Sequence, residues 1–409
     1  MKDRMRERIR AYPMVVLLLP LVAAILLFME PPPRYGGKNQ KIYIKETHIT
    51  QKTKETHITQ ETKETHIAQE TKETKGLQKG LQERLYGRLE DGGLSGDELA
   101  TVGALTLGYK EELGKELKRH FQASGAAHVL AVSGLHTGII YAILLGILTL
   151  GGRYKPLYEN KLGRLALGLT VIITMWGYAW LTGMTPSVVR AVLMVTIFEI
   201  GRMVYRQAFS LNTIAAAAVL ILIVNPKDLW SVSFQLSFAA TAAIVVLMER
   251  FSPIYRNSGI SRYRDRVWGK VFQYFAGIVV VSIAAQLGTL PITMYYFGQI
   301  SNYFLLTNLI VLPIAGFLVP CGLISICLGG SGIGVLFSKV TWGLAWTMNH
   351  SVEWIEHLPG STVQVEIGLG MVAIYYGMFV GFCMAMKKTK APPRPSPIGR
   401  EKRKLKGER

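Results

Sequence analysis

The stretch HVLAVSGLHTG, from His128 to Gly138, sets two histidines, a serine and two glycines at the start of an apolar segment. Ser133 and His136 are three residues apart and can share one helical face. A Ser–His nucleophile needs that proximity and also an acid to orient the ring. No acidic residue stands nearby in the sequence. His128 with His136 offers two metal ligands, fewer than a metal site usually needs. The same residues suit a helix break, with Gly134 allowing close packing and polar groups satisfied by the backbone. They also suit the lining of an aqueous path. The break and the lining are compatible and both stay open; the catalytic and metal readings each lack a partner.

Other polar residues interrupt apolar sequence further on. Arg190 falls about one turn into a segment that begins after Pro186, with no acid close by. An ionisable group inside a membrane usually faces protein or a water-filled cavity. Arg190 is thus either a fixed positive charge on a polyanion path or a side chain that snorkels to the interface. Gln235, Gln286 and Asn308 suit interhelical hydrogen bonds. The alternation Ser231, Ser233, Gln235, Ser237 predicts an irregular or re-entrant segment, and Pro291, Pro313 and Pro320 predict broken helices. The glycine run GGSGIG at 329–334 has no Lys-Ser/Thr ending and follows no strand, so it is not a phosphate loop.

What positions these residues is set by composition. Half of the 409 residues are hydrophobic and 18% are charged, which is too apolar for an ordinary soluble domain. The apolar residues gather into runs of roughly 17 to 25, the length that crosses hydrocarbon. Candidate spans are 13–29, 129–150, 164–183, 186–201, 211–224, 235–248, 271–296, 303–328, 333–355 and 367–386. The fold class expected is an all-α polytopic integral membrane protein of about ten transmembrane helices, some short or broken. The net charge of +19 sits largely at the two ends. Residues 1–10 hold five basic and two acidic side chains, and the tail from Lys387 holds ten and two. Loops with Arg153, Lys155, Lys161 and Arg164, with Arg202 and Arg206, and with Arg250 to Lys270 alternate with nearly uncharged ones. By the positive-inside bias both termini are cytoplasmic in a plasma membrane, which an even number of spans satisfies. The basic ends read as topology signals and lipid contacts rather than as a nucleic-acid patch.

The expected organisation has five parts. Residues 1–30 form a basic flank and an uncleaved signal-anchor helix. Residues 31–76 form an extracytoplasmic linker built on the nine-residue repeat KETHITQKT, KETHITQET, KETHIAQET. Nine residues turn a helix about 900°, so successive copies face opposite sides and no continuous apolar face results. The repeat therefore reads as a solvated spacer, and nothing fixes the geometry of His48, His57 and His66 for a metal. Residues 77–127 are amphipathic: Ser95 and Glu98 form a capping-box pattern, Leu113, Leu117 and Phe121 recur every four residues, and Glu111 stands four before Lys115. They predict helices lying on the membrane surface or against the bundle. Residues 128–386 form the membrane domain, and 387–409 a basic cytoplasmic tail. Cys321, Cys327 and Cys383 lie in apolar segments and read as small hydrophobes. Cys321 and Cys327 are about 9 Å apart along a helix, too far for a bridge.

Five stretches in order resemble the ComEC-type competence protein family: HVLAVSGLHTG, TPSVVRAVLM (185–194), LNTIAAAAVLILIVNP (211–226), SFQLSFAAT (233–241), and QLGTLPITMYYFGQIS with NLIVLP (286–313). The resemblance covers roughly residues 95–360. It implies a membrane channel core for uptake of single-stranded DNA, non-enzymatic, with His128, Ser133, His136, Arg190, Gln235, Ser237, Gln286 and Asn308 as candidate path residues. The family's extracytoplasmic OB-fold-like and C-terminal metallo-β-lactamase-like domains have no counterpart in the motifs here; no HxHxDH-type ligand cluster occurs. The implied partners are single-stranded DNA, lipid, a separate DNA receptor, a cytoplasmic ATP-driven translocase, a separate nuclease and further copies of the chain. No cofactor is implied. The competing expectation is a transporter or flippase for another anionic or amphiphilic substrate, since broken helices with internal polar groups fit that class too.

Overall fold

The computed structural model describes residues 57–130, 132–149, 160–204, 211–257 and 267–385. The expected anchor helix, the first repeat copies with His48, and the basic tail lie outside the described residues. The rest is helical: α1 (His57–Asp91), α2 (Gly96–Leu107), α3 (Lys115–Ala123), α4 (Ala127–Leu130), α5 (Gly134–Leu148), α6 (Lys161–Leu181), α7 (Pro186–Met203), α8 (Leu211–Val224), α9 (Val232–Asn257), α10 (Val267–Phe297), α11 (Phe304–Leu328), α12 (Gly332–Glu356) and α13 (Leu369–Ala385). A 3₁₀ turn, Pro226–Trp230, joins α8 to α9. Two short strands, β1 (Gln299–Ser301) and β2 (Thr362–Gln364), pair antiparallel, with Ile300 opposite Val363.

Every apolar run from residue 129 onward that the sequence marks as a span contains a helix. Among the described residues, α6, α10 and α11 are long and apolar enough to cross a membrane; α5, α8, the first part of α9 and α13 are shorter apolar helices. The run at 129–150 holds two separate helices, α4 ending at Leu130 and α5 starting at Gly134.

The sequence expectation fails in instructive places. The helix α1 begins inside the nine-residue repeat and runs on to Asp91, so the linker boundary expected at residue 76 falls within one continuous helix. Its Glu, Lys, Gln, Leu and Arg residues favour helix even where no apolar face exists. The segment α2 takes the second of the two expected placements, against the bundle. Residues Leu99 to Leu107 are all buried, and the helix packs between α11, α12 and α1. Thr101 Oγ1 donates to Asn349 Oδ1 of α12 at 2.9 Å, and Gly322 of α11 faces Val102 and Thr106 so closely that a Cβ would lie 2.9 Å from the Thr106 methyl. Ser95 does sit at the N-cap of α2, but its side chain makes no capping bond. Glu111 lies in the loop before α3 and pairs with Lys79 at 3.0 Å instead of with Lys115. That bond raises the Lys79 pKa, yet the pair is half exposed and contributes little. Leu113, Leu117 and Phe121 are buried as their spacing predicts.

The prolines do not break their helices. Pro291 lies inside α10, and Pro313 and Pro320 inside α11. A proline leaves the carbonyl four residues earlier without its helical donor. For Pro291 that carbonyl belongs to Leu287, and Tyr375 Oη of α13 donates to it at 2.9 Å. Tyr376 Oη donates to the next carbonyl, Gly288, at 2.7 Å. A neighbouring helix thus supplies what the proline removed, as apolar surroundings demand.

The largest core joins α1 to α4 with α11 and α12, around Phe121, Leu105, Leu318 and Met348. A second joins Val132 to α6 and α7. Smaller ones join α8 to α9 and α9 to α10 and α13.

Candidate functional site

The site is assembled around the first turns of α7. Its chain arrives from α6 through Thr182–Gly183–Met184–Thr185. Gly183 has φ +85° and Met184 φ +50°, so the turn holds a non-glycine residue in the left-handed region, a strained arrangement that surrounding packing must maintain. Pro186 then opens α7 at a position that needs no backbone donor.

Ser187 and Arg190 reach opposite ways from these turns. Ser187 Oγ donates to the Val132 carbonyl at 2.7 Å, in the break between α4 and α5. Arg190 is 5% exposed, and its Nη2 donates to Ser233 Oγ at 2.8 Å, in the first turn of α9. Its Nε has no hydrogen-bond partner among the described residues. Arg190 does not snorkel; it is held inside the protein with a spare donor. The 3₁₀ turn beside it is closed by Asn225 Nδ2 donating to Asp228 Oδ1 at 2.9 Å and Gln235 Nε2 donating to the Leu229 carbonyl at 3.0 Å. The irregular segment is therefore 225–231. Ser233, Gln235 and Ser237, expected within it, are already in α9, because Ser231 accepts the first helical bond, from the Gln235 N–H. Ser237 is half-buried there.

On the other side of Ser187, Ser133 caps α5. The His136 Nδ1 accepts the Ser133 N–H at 3.1 Å and lies 3.0 Å from Ser133 Oγ. The imidazole takes the place that Glu or Gln fills in an ordinary capping box. Accepting a backbone N–H requires a lone pair on Nδ1, which puts the proton on Nε2. That Nε2 is buried with no partner among the described residues. A Ser–His nucleophile needs an acid on that nitrogen, and none contacts it. His128 is exposed and lies against the Gly125 carbonyl at 3.1 Å, so it serves a different turn. No group of three potential metal ligands occurs among the described residues. Gly134 was expected to permit close packing, but a Cβ there would meet only Ala191 at an ordinary 3.9 Å.

Gln286 and Asn308 belong to another helix pair. Asn308 Nδ2 donates to Ser282 Oγ at 3.1 Å, joining α11 to α10. Gln286 is half-buried on α10. The structure thus gathers Ser133, His136, Arg190 and Gln235 about α7, and leaves His128, Gln286 and Asn308 elsewhere.

One buried acid was missed. Glu199 on α7 is fully buried; its Oε1 accepts Tyr141 Oη of α5 at 2.5 Å and Arg202 Nη1 at 3.2 Å. The signal was visible, an acid inside the span 186–201, but its partner on α5 lies 58 residues away.

Apolar helices, interrupted where polar side chains converge, define a helical membrane protein. A family model described as Competence protein matches residues 105–390, more than half of the chain, and the chain belongs to that family. It is 28% identical over 280 residues to ComE operon protein 3 of Bacillus subtilis (strain 168), which covers 68% of this chain and 32% of that protein. It is 23% identical over 281 residues to Recombination protein 2 of Haemophilus influenzae, covering 68% and 34%. An uncharacterized protein of Aquifex aeolicus is 31% identical over 142 residues, 35% of this chain and 31% of that one. The chain thus spans about a third of the length of the curated relatives it matches. No solved structure matches it.

Proposed function

We propose that this chain is the membrane core through which single-stranded DNA enters the cytoplasm during natural transformation. Membership of the competence family carries the reading. The chemistry about α7 supports it. A phosphodiester leaving water loses its counterions, and a desolvated guanidinium with a spare N–H offsets that loss. Arg190 is such a group, fixed by Ser233. The role proposed is passive and involves no enzymatic step on this chain. A separate DNA receptor, an ATP-driven cytoplasmic translocase and a separate nuclease complete the system, the core acts in lipid as one or more copies, and both termini are cytoplasmic across about ten spans.

The test uses a naturally competent host that encodes this protein. Deletion is expected to abolish entry of labelled DNA into the cytoplasm and transformation, and Arg190→Gln to lower both at least roughly tenfold with protein level unchanged. Unchanged transformation in the deletion strain overturns the reading. The competing reading, a transporter or flippase for another anionic or amphiphilic substrate, draws on the same helix breaks. In liposomes, saturable small-solute flux insensitive to oligonucleotide favours it; conductance blocked by oligonucleotide favours the DNA core.

A further inference from the structure

One face of α12 is exposed and mixed, with aromatic, basic and aliphatic side chains. Lys339, Trp342, Trp346, His350, Trp354 and His357 follow one another at steps of three or four residues and are all exposed, so they share one side of the helix and its end. Ala345, Met348, Val352 and Ile355, on the opposite side, are fully buried. The three indoles keep 41%, 43% and 57% of their surface. The rings of Trp346 and His350 lie over each other, centroids 4.2 Å apart and planes 30° apart. His350 is fixed by its Nδ1 against the Trp346 carbonyl at 3.0 Å. At the C-terminal end, α3 brings exposed Arg119, whose Nε lies 3.5 Å from Glu356 Oε1, and His120, whose ring is 6.3 Å from that of His357.

A helix side that meets acyl chains carries Leu, Ile and Val. This one carries a single exposed leucine, Leu336, near its start, and beyond it the indoles, a lysine, two imidazoles and, at its end, the Glu353 carboxylate. The residues that carry its rings are four apart, a rise of about 6 Å along the axis, and the Trp346 and His350 rings lean together into one stacked pair. Lys339 stands at one end, and at the other Arg119, exposed and sharing Glu356 with His120. A row of exposed flat rings with cations near its ends suits single-stranded nucleic acid, because every base has a face to stack and every phosphate a charge to neutralise.

We propose that this face of α12 is a stacking track for single-stranded DNA, with Trp346, His350 and Trp354 receiving bases and Lys339 and Arg119 receiving phosphates. The proposal rests on the DNA-uptake reading and locates where the strand lies. The probe is a fluorescent oligothymidylate, added to the full chain in nanodiscs. Wild type is expected to bind it, with quenching of tryptophan emission. Trp346→Ala and Trp354→Ala are each expected to weaken binding roughly 5- to 150-fold, and Trp346→Phe much less. These side chains are exposed, so helical content and melting should stay at wild-type values. If wild type binds but both alanine variants bind equally well, the track is wrong and the uptake reading stands. If the indoles are quenched by bromine-labelled acyl chains and not by the oligonucleotide, the face is a lipid belt and the proposal fails. If wild type neither binds nor conducts the strand, the uptake reading fails with it.

Discussion

Arg190 and His136 show what single side chains do here. Burying a guanidinium is costly unless its donors are met, and Ser233 meets one of them. Ser233→Ala is expected to destabilise the protein by about 1–3 kcal/mol by leaving Arg190 less satisfied, read as a lower melting temperature in detergent. His136 acts as a cap. If so, glutamine, the ordinary residue for that position of a capping box, should replace it. His136→Gln is expected to keep near wild-type melting and uptake, whereas His136→Ala loses the cap at about 1–2 kcal/mol and opens a cavity besides. Uptake abolished equally by both substitutions, with melting unchanged in the glutamine variant, would return the residue to chemistry.

At the scale of elements, helices are kept whole by their neighbours. The Leu287 carbonyl freed by Pro291 is met by Tyr375, which makes the two residues an energetic pair. Tyr375→Phe is expected to cost about 1 kcal/mol, and much less in a Pro291→Ala background where the backbone N–H returns. A double-mutant cycle on melting measures the coupling, and additive effects refute it. Close packing is equally local. A Cβ on Gly288 of α10 would lie 2.6 Å from the Ala239 carbonyl oxygen of α9, whereas one on Gly277 meets nothing within 4 Å. Gly288→Ala should therefore lose about 1–3 kcal/mol and Gly277→Ala almost none. The helices themselves were legible, because runs of apolar residues must be helical in lipid. The neighbours of α2 were not: GDELATVGALTL is apolar after its first turn, and only its enclosure by α11, α12 and α1 shows that Thr101 and Thr106 lie inside.

At the scale of the whole molecule, charge governs orientation and association. If both termini are cytoplasmic, a cysteine placed between the expected spans 129–150 and 164–183 is protected from an impermeant thiol reagent in intact cells, and one in the turn 182–185 is labelled; the opposite pattern inverts the proposed topology. Binding of the strand should fall steeply with salt, since each neutralised phosphate releases a counterion.

The sequence by itself marked the chain as helical and membrane-embedded, because hydrocarbon thickness and backbone hydrogen bonding leave few ways to write such a segment, and its five ordered motifs carried the resemblance to the competence family. It also marked Ser133, His136, Arg190 and Gln235 as out of place in apolar surroundings. Only the tertiary structure decided what they do. Ser187 meeting Val132, Arg190 meeting Ser233, Glu199 meeting Tyr141 and Tyr375 meeting Leu287 are contacts over 43 to 88 residues of chain. Helical periodicity fixes which residues share a face, and it carries no information about which other helix that face will find.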